Sequence, residues 1–197
     1  VIGSAPLPKE PEIICRKRFG VKEVLPLYGM TEVNIPVYGK LGKMGNGTCG
    51  EVYYRYFDEE IRDTNTDEKL KNGAVGEIMV RPKISFGFMQ GYLGMPDKSF
   101  EAYRNFWFHT GDAGFFNKKN QLIFVDRMKD CIRRRGENIS SYEVEQAFLK
   151  IPQIAEAAAF AVPAKDHGQE DEVMVALMII KGSKIEYSKW INKVSTD

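Results

Sequence analysis

Apolar and polar positions along the chain change their rhythm three times. The opening, VIGSAPLPKE, is a small-residue loop, and Pro8 then predicts the start of a helix with Ile13, Ile14 and Phe19 turned inward. Val24, Leu25 and Leu27 read as a short buried strand weakened by Pro26, with the polar turn YGMTE at its exit. From about residue 37 to 126 the pattern becomes short strands broken by Gly, Asn and Asp: Glu51 to Phe57, Gly76 to Val80 and Gln121 to Val125. This predicts an antiparallel, barrel-like subdomain. One helix interrupts it, opened by Pro96, with Phe100 and Tyr103 on one face.

A charged segment, DRMKDCIRRRGENIS, carries almost no apolar periodicity, and a domain boundary is placed inside it. A helix start follows. Ser140 can cap and Glu143 stands three residues on, completing a capping box. Val144, Ala147, Phe148 and Ile151 then keep helical spacing until Pro152. Ala155 to Val162 and Val173 to Ile180 read as strands, and the tail from Ile185 to Val194 as the start of another helix. The fold class expected is α+β.

Composition narrows the functional classes. Of 197 residues, 28 are basic and 27 acidic, a net charge of +1 that offers nothing to nucleic acid or an anionic membrane. Any nucleotide bound must be small and held by local geometry. Cys15, Cys49 and Cys131 are scattered and odd in number, which suggests neither a disulfide framework nor a zinc site, and favours a cytoplasmic setting. The longest apolar run, Val173 to Ile180, is far short of a membrane span. The first residue is Val1, so the lack of a targeting segment proves little.

Three polar motifs carry candidate chemistry. In YGMTE, Gly29 lets backbone approach a ligand, Thr31 offers a hydroxyl to phosphate, Glu32 is a hard oxygen ligand for magnesium, and Tyr28 offers a flat face to a base. A plain surface turn explains the same residues equally well. In FHTGDAG, Asp112 lies in a glycine-flanked turn after an aromatic strand, where a carboxylate can accept both hydroxyls of a ribose. An Asp bonding its own backbone in a turn is the simpler account of that motif alone. His109 reads as structural, having no acid or nucleophile beside it in sequence. In the third motif Arg127 follows the strand LIFVD directly, so it projects from a fixed element toward a ribose or phosphate. The bland reading is a solvated basic loop.

The order YGMTE, GEIMVRP (76–82), GYLGMPDKSFEAY (91–103), WFHTGD (107–112) and VDRMKDCIRRRGENIS (125–140) resembles the adenylate-forming superfamily of acyl- and aryl-CoA ligases, luciferases and peptide-synthetase adenylation domains. The RRRGENIS loop is most similar to acid–CoA ligases, including the crotonobetaine/carnitine type. The resemblance implies the end of an α/β subdomain, then a distorted antiparallel barrel-like subdomain, then a truncated small α+β domain. Residues 1–126 would be the later part of the large AMP-binding domain, and 127–197 the hinge and small domain.

The same resemblance implies roles residue by residue. Tyr28 would stack near adenine, with Gly29 beside it; Thr31 would contact the adenylate phosphate and Glu32 would bind magnesium. Asp112 would hold the ribose with Arg127 next to it, Lys129 would be the hinge, and Arg135, Gly136 and Glu137 would line the pantetheine tunnel. ATP, magnesium, CoA and a small carboxylic acid are the implied ligands. The family's upstream phosphate loop and its late adenylation lysine are expected outside this chain, so the chain alone is expected to show negligible adenylation. The alternatives are another adenylator that loads a carrier protein, and a non-catalytic AMP-binding module. The acid, the oligomeric state and the rotational state of the small domain are not legible in the sequence.

Overall fold

The computed structural model describes residues 9–41, 47–134, 137–163 and 171–183. The chain divides into two compact units, Val1–Val125 and Asp126–Asp197. Each is an assembly of antiparallel strands with few helices, a mixed α+β architecture.

In the first unit, helix α1 (Lys9–Phe19) precedes hairpin β1 (Leu27–Met30) and β2 (Asn34–Tyr38), to which β3 (Glu51–Val52) adds. A second sheet runs in the order β4 (Phe57–Arg62), β5 (Gly76–Pro82), β6 (Phe108–Phe116) and β7 (Leu122–Arg127). Helix α2 (Pro96–Ala102) lies between β5 and β6 in sequence. Gly50, next to β3, pairs with Leu122 of β7, which bonds the two sheets together. Both contribute to one core: Tyr28, Val37, Val52, Phe57, Ile61, Ile78, Val80 and Leu122. Alternation explains the choice of residues, since Phe57, Glu59 and Ile61 are the buried positions of β4. Trimming Leu122, fully buried, to Ala would cost about 2–5 kcal/mol.

In the second unit, β8 (Ile132–Arg134) and β9 (Glu137–Ile139) form a hairpin, followed by α3 (Ser141–Leu149) and the strand pair β10 (Ile154–Pro163) and β11 (Asp171–Ile179). Ile151 and Ile154 centre its core, with Phe148, Ala157, Leu177 and Ile179 packed around them. Ser140 caps α3 as the sequence predicts, accepting from Glu143 N at 3.3 Å.

Several expectations are corrected. The first strand begins after Pro26 and runs into the motif itself, so Tyr28, Gly29 and Met30 are strand and only Thr31 and Glu32 lie in the turn. Its partner, β2, is antiparallel. Glu51 to Phe57 breaks in two around the turn at Tyr53–Tyr56, closed by Tyr56 N to Tyr53 O at 2.8 Å. Ile14 and Phe19 of α1 are exposed, and so is Phe100 of α2, while Tyr103 turns inward to Phe88 and Phe108. The helix expected at 185–194 lies outside the described residues.

Candidate functional site

The first motif is built on the β1–β2 hairpin. A bulge falls between Tyr28 and Met30, and Gly29 makes it possible. A Cβ at Gly29 would stand 2.2 Å from the Asn34 carbonyl oxygen, so the glycine is required by the hairpin itself as well as by any ligand. Asn34, opposite Met30, holds a left-handed φ of 62°. Gly29, Thr31 and Glu32 line an open cavity of about 560 Å³ whose walls include Leu27, Ile35 and Phe88. Thr31 is exposed and Glu32 half-buried. Glu32 Oε1 accepts from the Tyr92 hydroxyl at 3.2 Å, and its backbone carbonyl accepts from Met89 N at 2.8 Å. Tyr92 is held in turn by Ser99 Oγ, which accepts from its backbone N at 2.8 Å. Burial, then the Glu32 charge, raises the Tyr92 phenol above its usual range, so it stays a donor.

Tyr28 turns the other way. Its ring sits in the core at 7% exposure, tilted against Phe124 at 6.4 Å between centroids, which leaves little open face for a base. Its hydroxyl donates to Asp112 Oδ2 at 2.8 Å across 84 residues of sequence. The two motifs are thereby joined. Burial raises the Tyr28 phenol well above its ordinary value, and the Asp112 charge adds to that.

Asp112 stands within the nine-residue strand β6, not in a turn after one. Gly111 supplies a left-handed φ of 68° beside a register shift between Glu77 and Met79 on β5, which disguises the strand as a turn. The backbone there is tied down. Asp112 N donates to Thr110 Oγ1 at 3.1 Å, and Thr110 Oγ1 donates to Ile78 O at 2.7 Å. Gly111 N donates to Glu77 Oε1 at 3.0 Å.

Glu77 is a residue the sequence did not flag. Its other oxygen, Oε2, lies 3.0 Å from His109 Nδ1, and the carboxylate is buried. A carboxylate only accepts, so the imidazole proton sits on Nδ1. The structural reading of His109 therefore has its acid partner, supplied from 32 residues away by the pairing of β5 with β6.

Glu59 is the other surprise. It is buried on the core face of β4, and among the described residues neither carboxylate oxygen has a hydrogen-bond partner. Burial pushes its carboxyl up to about 8. A period-two reading of FDEEIR puts Glu59 inward with Phe57 and Ile61, a signal present in the sequence.

In the second unit, Arg127 and Lys129 are exposed, and Arg127 N donates to Asp126 Oδ1 at 2.8 Å. Arg135 and Gly136 lie outside the described residues, as does the side chain of Glu137. Among the described residues no group of three acids, histidines or cysteines could hold a metal, and no helix is long and apolar enough to cross a membrane. A magnesium ion bound beside phosphates needs only one or two protein carboxylates. Glu32, half-buried at an open cavity, fits that mode.

Residues 1–93 match the family described as AMP-binding enzyme. A 4-coumarate–CoA ligase from Pinus taeda is 35% identical over 93% of this chain and 34% of its own length. An oxalate–CoA ligase from Saccharomyces cerevisiae is 35% identical over 86% of this chain and 31% of its own. ATP-bound MatB from Rhodopseudomonas palustris superposes with a TM-score of 0.80 at 27% identity, over 98% of this chain and 37% of that one. The chain spans about a third of the length of these relatives. Over that third the chain is similar to acid–CoA ligases, and its first 93 residues match the AMP-binding enzyme family.

Proposed function

We propose that this chain supplies the ribose- and phosphate-binding part of an ATP-dependent acid–CoA ligase. The observation that carries the reading is the Tyr28–Asp112 hydrogen bond, which links the YGMTE and FHTGD motifs in one place. Thr31 and Glu32, on the cavity side of the same hairpin, are assigned to the nucleotide's phosphates and to magnesium. Asp112 is assigned to accept from the ribose hydroxyls, and Arg127 is assigned separately as a donor to nucleotide.

The reaction has two displacements. A carboxylate oxygen of the acid bonds to the α-phosphorus of ATP, the bond to the β-phosphate oxygen breaks, and pyrophosphate leaves. The sulfur of CoA then bonds to the acyl carbon, the bond to AMP breaks, and the thiol proton passes to solvent. Bound magnesium would neutralise phosphate charge. The Thr31 hydroxyl can donate to a phosphate oxygen, and Asp112 can fix the sugar, so these residues work by positioning and charge stabilisation. Lys129 as hinge, and Arg135, Gly136 and Glu137 as the lining of the CoA path, belong to the same proposal. So does a cytoplasmic setting.

Titration of the chain with AMP tests the nucleotide assignment. AMP binding that falls about tenfold or more in Asp112→Ala, with the fold intact, is the expected result. Equal affinity in both proteins would remove Asp112 from the site.

A further inference from the structure

Glu59 occupies a place that an apolar residue would fill. Strand β4 buries Phe57, Glu59 and Ile61 in turn. Glu59 lies opposite Val80 of β5, which lies opposite Phe108 of β6, and both neighbours are buried. Neither oxygen of the Glu59 carboxyl has a hydrogen-bond partner among the described residues. Three groups on other segments feel its charge: the Tyr28 phenol on β1, the Cys49 thiol just before β3, and the Tyr54 phenol in the turn before β4. The Asp112 carboxylate on β6 reaches Tyr28 and Cys49 as well. None of the four is a cation, and burial alone sets the proton affinity of Glu59. A carboxylate ion there would have neither a partner nor water, so the packed core requires the neutral acid.

This acid sits where the two sheets of the first unit meet. Tyr28 belongs to the first sheet, Cys49 packs against the shared core, and Glu59 belongs to the second sheet. The sheets are bonded beside Cys49, whose N donates to Leu122 O at 2.8 Å, while Leu122 N donates to Gly50 O at 2.9 Å. Parting that seam would bring water toward Glu59 while β4, β5 and β6 stay paired. We propose that Glu59 is a proton-controlled latch between the two sheets: the neutral acid keeps the seam at Cys49, Gly50 and Leu122 closed, and loss of its proton opens the seam locally. The buried carboxyl titrates at about 8 against an ordinary 4.5, so the latch works just above neutral pH.

The experiment follows labelling of Cys49 by methyl methanethiosulfonate in the full chain and in its Glu59→Gln variant, read site by site by peptide mass between pH 6 and 9. The thiol's own ionisation accelerates both proteins alike, so the ratio of their rates reports opening. That ratio should rise about tenfold per pH unit from pH 6 to 8 and then level off, the slope of one proton released on opening. The wild-type rate should stay nearly constant in urea below the unfolding midpoint, because a local opening exposes little surface. A ratio that does not change with pH overturns the latch. So does a wild-type rate that climbs with urea as steeply as global unfolding. Should Glu59→Gln fail to fold, Glu59→Leu serves as the reference. Should neither fold, amide exchange in wild type decides: exchange at Leu122 relative to Val175 of β11 should rise by the same factor, and a constant ratio overturns the proposal.

Discussion

Asp126 Oδ2 accepts a hydrogen bond from the Ser141 hydroxyl at 2.7 Å, tying the end of β7 to the start of α3. The same oxygen takes Ser140 Oγ at 3.1 Å and Tyr142 N at 3.3 Å. Asp126 is buried, and an acid at a helix N-terminus also meets the positive end of the helix dipole. The segment that carries Arg127, Lys129 and the β8–β9 hairpin is thus closed at its base within the second unit. Asp126→Ala should lower stability by about 2–3 kcal/mol in urea denaturation, and Ser141→Ala by about 1 kcal/mol. Amide exchange in the first turn of α3 should rise in both. Denaturation curves that overlay wild type would remove the clasp.

Glu59 makes stability depend on pH. Its folded-state pKa is about 8, raised from an unfolded value near 4.5. The folded chain therefore holds this proton more tightly than the unfolded chain. The contribution of Glu59 to stability is fully present below pH 4.5, falls as pH rises toward 8, and levels off above that, by an amount on the order of a few kcal/mol. Glu59→Gln, which cannot ionise, should flatten that slope and be the more stable protein at pH 8. Parallel slopes in the two proteins between pH 5 and 8 would mean that Glu59 ionises freely.

Two glycines of the site should respond differently to alanine. At Gly29 the new Cβ meets backbone at 2.2 Å, and the hairpin has to move. At Gly111 it meets nothing within 4 Å, and only the left-handed φ of 68° is penalised. Gly111→Ala should cost about 1–2 kcal/mol, whereas Gly29→Ala should cost more and abolish AMP binding. Thermal midpoints in the reverse order would contradict the hairpin geometry.

Short apolar strands with turn residues beside them, such as Gly76 to Val80 within β5, were legible from sequence, as was the Ser140 cap. β6 was not. Gly111 and the register shift beside it imitate a turn, and only the pairing with β5 shows a continuous strand. The apolar side chains of α1 misled for a different reason. KEPEIICRKRF has too few of them to define one face, and Phe19 is exposed at its last position. Site residues were recognisable as motifs, but their grouping was not. The partition of one motif between a cavity side with Thr31 and Glu32 and a core side with Tyr28 depends on where β1 ends and the turn begins. Glu77 stayed hidden because its partners, His109 and Gly111, reach it only through the sheet.

The most direct measurement of the central claim is acid-dependent ATP–pyrophosphate exchange by the full-length gene product, across short, medium, aryl and betaine-like acids. The account predicts exchange with one class of acid, lost in Asp112→Ala, followed by AMP release only when CoA is added. A folded protein that binds AMP but exchanges pyrophosphate with none of the acids would contradict it and leave a binding module without ligase chemistry.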